Sequence, residues 1–161
     1  MSLIFLEKII WAVIAALGFA TLFTTPRRAF WVVALLAATG FTLRGIALDQ
    51  GWNLILATLT GSCTMGFIAI HLAHRVHTPT TVFMAPAVIP MVPGVYAYQF
   101  MTGLLHISNS PDIPIDLVTH TLSYGLNTLL VVLSLAVGVS IPSLLFRKSV
   151  KEIRLIKRSK T

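Results

Sequence analysis

Apolar positions along the chain gather into long blocks, and polar positions are confined to short stretches between them. The blocks cover roughly residues 5–24, 29–48, 52–73, 80–106 and 117–146. Each is about 20 residues or longer, enough to cross a hydrocarbon core of roughly 30 Å at 1.5 Å of rise per residue. The pattern predicts an all-α integral membrane protein with about five transmembrane helices. Residues 1–148 form one membrane domain and residues 149–161 a basic tail, with no room for a separate soluble domain.

Composition agrees with this picture. Of 161 residues, 56% are hydrophobic and 11% charged, whereas soluble domains carry charge at about a quarter of positions. The first block, "MSLIFLEKIIWAVIAALGFATLFTTPRR", has Glu7 and Lys8 after four apolar residues and Arg27 and Arg28 beyond the block. It is expected to be an uncleaved first span rather than a signal peptide. The lone cysteine, Cys63, lies inside an apolar block and excludes an internal disulfide.

The net charge of +7 is a membrane signal, since seven of the twelve basic residues fall in the last fifteen positions, "RKSVKEIRLIKRSKT". Such a tail suits the anionic cytoplasmic leaflet better than nucleic acid. Five spans also make the connections alternate in charge. The tail, the Arg75 connection and the Arg27/Arg28 connection are basic, while "SNSPDIPID" and the Asp49 turn are not. The positive-inside rule then places the N-terminus outside and the C-terminus inside, with Lys8 and Arg44 as the two bases left over. Val150, Ile153 and Ile156 recur at threefold spacing among the basic residues of the tail. It is expected either to lie on the membrane surface as a helix or to extend the last span.

In lipid, helices associate through close approach and interhelical hydrogen bonds. Ala12, Ala16 and Ala20, then Thr58, Ser62 and Gly66, then Ser134 and Gly138 recur at intervals of four and mark the expected contacts. Asn127 shares the face of Ser134 and Gly138. An amide there needs a neighbouring helix, a water or a ligand.

The fourth block departs from a simple span. "TTVFMAPAVIPMVPGVYAYQF" holds Pro86, Pro90 and Pro93 within eight positions, followed by Gly94. Each interior proline removes a backbone donor, so the carbonyls of Val82, Pro86 and Ile89 are expected to lose their helical partners. Such groups must face protein or a wet cavity. Pro93 also suits the first position of a new helix, which leaves the amides of Gly94, Val95 and Tyr96 aimed at the break. Back-to-back helix ends of this kind hold substrates at the midplane of secondary transporters. A proline kink satisfied by its neighbours is the structural alternative. The candidate substrate-binding residues are Pro90, Pro93, Gly94, Val95, Tyr96 and Tyr98, joined by Asn127 and Arg44. Arg44 either snorkels to the surface or presents its planar fork to a carboxylate.

Other chemistry is sparse. His71, His74 and His77 are three apart, but with no acid or thiol beside them they fit interfacial polar positions better than a metal site. The acids Glu7, Asp49, Asp112, Asp116 and Glu152 all fall at span ends or beyond, so a proton relay would have to use His71, His74, His120 or a partner. There is no Gly-rich phosphate loop, paired-acid spacing or cofactor motif, and an enzyme is the least supported class.

The stretches "AVIPMVPGVYAY" and "GLNTLLVVLSLAVGVSIPSLLFRK" resemble the threonine/serine exporter (ThrE) family, more narrowly its small YjjB-type members, which correspond to the C-terminal half of the fused exporter. The similarity runs from about residue 10 to residue 148. Its most specific part is the pattern of Pro90, Pro93, Gly94 and Tyr98, with weaker support from Asn127 to Leu129 and Ser140 to Pro142. The resemblance implies an inner-membrane exporter of small carboxylates, threonine and serine for the fused form and succinate for the two-subunit form. It also implies a separately encoded YjjP-type subunit as partner, because the other half is missing from this sequence. An odd number of spans agrees with an inverted pair of halves. An accessory or assembly subunit, whose break merely docks another membrane protein, is the competing expectation.

Overall fold

The computed structural model describes residues 3–109 and 114–158, the side chains of Ile4, His74 and residues 146–158 excepted. Six helices follow one another: α1 (Leu3–Leu22), α2 (Phe30–Asp49), α3 (Leu54–Val76), α4 (Thr80–Val88), α5 (Gly94–Asn109) and α6 (Ile115–Arg158), and no strand occurs among the described residues. Four of them are long and apolar enough to cross a membrane. α4 and α5, bent by 61° across a short break, make up to a fifth span. The last helix runs on without interruption to Arg158, so the basic segment continues α6. The connection expected at residues 108–116 lies partly outside the described residues.

Helix ends follow local chemistry. Thr24, at φ 51°, turns the chain out of α1, and a single turn of 3-10 helix at Arg27–Ala29 leads into α2. Gly51, at φ 82°, lies in the left-handed region that glycine enters without a steric penalty, and it reverses the chain after α2. Asn53 caps α3 by accepting a hydrogen bond from the Ile55 amide at 3.3 Å. His77 closes α3 in the left-handed conformation at φ 50°.

The small-residue positions form the helix contacts. Ala16 and Ala20 of α1 are fully buried against a core that includes Val32, Val33 and Leu36 of α2, Met65 of α3 and Phe83 of α4. α3 and α6 share the most extensive contact. There the Ser62 hydroxyl donates to the Ser134 carbonyl at 3.4 Å, and Gly138 leaves the space that Ser62 fills. Gly66 similarly admits the ring of Pro142. Leucine gains little by leaving lipid for a helix interface, so this backbone proximity carries the association.

α5 packs differently, since its one extensive contact is with the first half of α6. Gly103 accommodates Thr121, Gly125 accommodates Phe100, and the rings of Tyr96 and Tyr124 lie 6.0 Å apart at 38°. α6 thus joins two parts, with its first half on α5 and its second half on α3.

Candidate functional site at the helix break

Three prolines do not make three breaks. Pro86 sits inside α4, and the helix continues through it to Val88. The carbonyl it deprives, that of Val82, accepts instead from the Thr25 hydroxyl at 3.3 Å. A turn of 3-10 helix at Ile89–Met91 carries Pro90. The chain changes direction only at Val92, which is extended at φ −63° and ψ 133°. Its amide donates to the Ile89 carbonyl at 3.0 Å, filling the position that Pro93 leaves vacant.

α5 then starts at Gly94. The Gly94 amide is not free, because it donates to the Val92 carbonyl at 2.9 Å, while Ala97 donates to the Pro93 carbonyl at 3.1 Å. The first-turn amides of Val95 and Tyr96 have no carbonyl one turn back within the helix.

The carbonyl that the break turns toward a side chain is that of Met91. Arg44, on α2, donates to it from Nη1 at 2.6 Å. A guanidinium therefore takes the place of a missing helical amide, in a charge-assisted bond stronger than the one it replaces. Arg44 reaches inward to the break rather than outward to a surface. The Met91 side chain is wholly buried and fixes the turn in place. It lies between two glycines, such that a Cβ on Gly61 would stand 3.1 Å from its Cε and one on Gly40 3.3 Å from its Sδ.

Beside this bond is a cleft of about 300 Å³ lined by Phe5 and Lys8 of α1, by Phe41, Arg44, Gly45, Leu48 and Asp49 of α2, and by Pro90, Met91 and Val92 at the break. Helical spacing explains the α2 contribution, because residues 41, 44, 45 and 48 share one face. Gly45 sets the depth of the wall, since any Cβ there would run into the Phe5 ring. Two bases and one acid thus share a small, mostly apolar cleft, and none of the three is in an ion pair among the described residues.

The expected site residues divide around the break. Arg44 and Pro90 line the cleft. Pro93 is buried, and Tyr96 is half-buried against Tyr124 and within electrostatic range of Arg44. Gly94, Val95 and Tyr98 are exposed and do not line the cleft. Asn127 is half-buried on α6 and has no hydrogen-bond partner among the described residues. His71 faces the Phe67 carbonyl within its own helix, with Nδ1 at 3.2 Å, and no group of three metal-ligating side chains occurs among the described residues.

Lys8, Asp49 and Met91 were not candidates from the sequence. The available signal was the coincidence of Phe5 and Lys8, three apart on α1, with Arg44 and Asp49 near the end of α2, which a tight antiparallel turn brings to one level.

Comparison with known proteins decides the family. The model described as "Threonine/Serine exporter, ThrE" matches residues 8–145. The chain belongs to the threonine/serine exporter family. A protein of Haemophilus influenzae (strain ATCC 51907 / DSM 11121 / KW20 / Rd), named only as uncharacterized, is 33% identical over 141 residues. The alignment covers 88% of this chain and 47% of that protein. The chain thus spans about half the length of the curated relative it matches. No solved structure matches. The region shared with the exporter family begins at Lys8 and takes in every residue lining the cleft except Phe5.

Proposed function

We propose that this chain is one subunit of a secondary exporter of small carboxylates, either succinate or threonine and serine. It sits in the bacterial inner membrane with its basic end in the cytoplasm and works with a separately encoded YjjP-type subunit. The observation that carries the proposal is the Arg44–Met91 bond, which holds a cation at a helix break beside a cleft. A guanidinium tied by one N–H keeps four others for a ligand, in a fork that matches a carboxylate. Pro90, Pro93, Gly94, Val95, Tyr96 and Tyr98, at the break and the start of α5, are the residues expected to meet substrate, with Asn127 of α6 assisting.

Two observations support a companion subunit. The relative is about twice as long as the matched segment. Asp116, His120, Ser123 and Asn127 fall at spacings of four, three and four on α6, giving one polar face that is exposed or half-buried in the single chain. Polar groups in a span face protein or a wet cavity rather than lipid.

Efflux of labelled succinate and labelled threonine from preloaded cells, with this chain and its companion deleted singly and together, tests the proposal. Loss of efflux in either single deletion is the expected result. Efflux that persists without this chain leaves it an accessory subunit.

A further inference from the structure

We propose that Lys8 and Arg44 jointly hold the carboxylate of the transported molecule in the cleft at the end of α2. We further propose that Asp49 selects among carboxylates, favouring those that also carry an ammonium group. This rests on the exporter reading above and deepens it by assigning a role to each charge.

The cleft places residues from three segments around one space: Lys8 from α1, Arg44 and Asp49 from α2, and the backbone of Pro90 to Val92. At about 300 Å³ it is at the small end of ligand sites, which run from about 300 to 1,000 Å³, so it suits a molecule of a few carbons. Phe5, Phe41, Leu48 and Met91 supply its apolar lining, and the exposed Lys8 and Asp49 stand where the cleft opens to the outside.

Arg44 is pre-oriented. Its bond to the Met91 carbonyl fixes the guanidinium plane and directs the remaining donors away from that carbonyl. Lys8 adds a second, flexible cation from α1.

Asp49 breaks the symmetry. Were the cleft lined by Lys8 and Arg44 alone, a dicarboxylate would be its best-matched occupant. With Asp49 on the same lining and in no ion pair among the described residues, a second carboxylate on the ligand meets a like charge, while an ammonium meets an opposite one. The charge pattern of the wall, two positive and one negative, complements a zwitterion more closely than a dianion.

The test uses the assembled transporter, this chain with its companion, in membrane vesicles. Half-saturation is measured for labelled L-threonine and labelled succinate in the wild type and in Lys8→Gln, Lys8→Arg and Asp49→Asn. Lys8→Gln is expected to weaken both substrates about fivefold and Lys8→Arg to keep them near the wild type, as for one exposed charge contact. Asp49→Asn is expected to shift the threonine-to-succinate preference about tenfold toward succinate. Wild-type transport accompanied by an unchanged preference in Asp49→Asn, or by unaltered affinities in Lys8→Gln, overturns the inference and leaves the exporter reading standing. Absence of transport of both substrates in the wild type overturns both together.

Discussion

Gly61→Ala isolates the closeness of α2 and α3 on which the break depends. An ideal Cβ at Gly61 would lie 2.8 Å from the Gly40 carbonyl oxygen, 3.1 Å from Met91 Cε and 3.4 Å from Arg44 Cβ. The Met91 terminus can swing aside. The Gly40 oxygen cannot, because it is backbone in the middle of α2, and it falls short of ordinary contact by about 0.6 Å. The two helices must separate, at an overpacking cost of about 1–3 kcal/mol. Alanine also improves helix propensity by up to about 1 kcal/mol, which partly masks that cost. Gly18→Ala supplies the control, since nothing lies within 4 Å of the Cβ it adds. Both variants gain the same propensity, so their difference reports the overpacking alone. Unfolding by sodium dodecyl sulfate in mixed micelles, followed through the three tryptophans, should place Gly61→Ala below Gly18→Ala by about 1–3 kcal/mol. Transport should fall as well, since α2 carries Arg44 away from Met91. Equal stabilities would refute the claim that the glycines set the distance between these helices.

Three further outcomes follow from the same contacts. Met91→Ala empties a wholly buried site and should lower the unfolding midpoint by an amount corresponding to about 2–5 kcal/mol; a midpoint within error of the wild type would show that the turn is not anchored there. Thr25→Val removes the donor to the Val82 carbonyl, and the same titration should register a loss of about 1–3 kcal/mol; an unchanged midpoint would show that this hydroxyl does not support the Val82 carbonyl. Pro93→Ala returns a backbone amide opposite the Ile89 carbonyl and allows α4 to run into α5; efflux should be abolished while membrane insertion, scored by protease protection, is kept, and wild-type efflux would mark the break as an inert kink.

Much of the fold was legible because each span is a long apolar block set off by short polar or charged connections, such as Arg27/Arg28, the Asp49 turn and the Arg75 connection. The helix contacts were also legible, since small residues at intervals of four have few other uses in lipid. What sequence could not decide was which proline interrupts the backbone. Both Pro86 and Pro93 remove a backbone donor, and what lets the helix run through Pro86 includes a hydroxyl 57 positions before Val82, that of Thr25, which satisfies the carbonyl that Pro86 orphans. The candidate site was half legible for a related reason. Arg44 stood out as a charge inside a span, whereas Lys8 and Asp49 looked like ordinary span-end charges. Only the close approach of Phe5 to Gly45 puts them on the same cleft.

The two sides of the break differ in how much hydrogen-bonding capacity they leave over. On the carbonyl side, Val82 is taken by Thr25, Ile89 by the Val92 amide and Met91 by Arg44. On the amide side, Gly94 is taken by Val92, while the first-turn amides of Val95 and Tyr96 lack helical acceptors. Two of these acceptors tie α4 and its turn to the α1–α2 connection and to α2, and the spare donors belong to α5, whose extensive contact is with α6 alone. A break satisfied in this way is rigid toward the bundle and open toward the α5–α6 pair. If Arg44 holds an anion as proposed, the amides of Val95 and Tyr96 are the donors at the break that no helical carbonyl takes, and Val95→Pro, which removes one of them, should slow efflux while leaving the Arg44–Met91 bond in place.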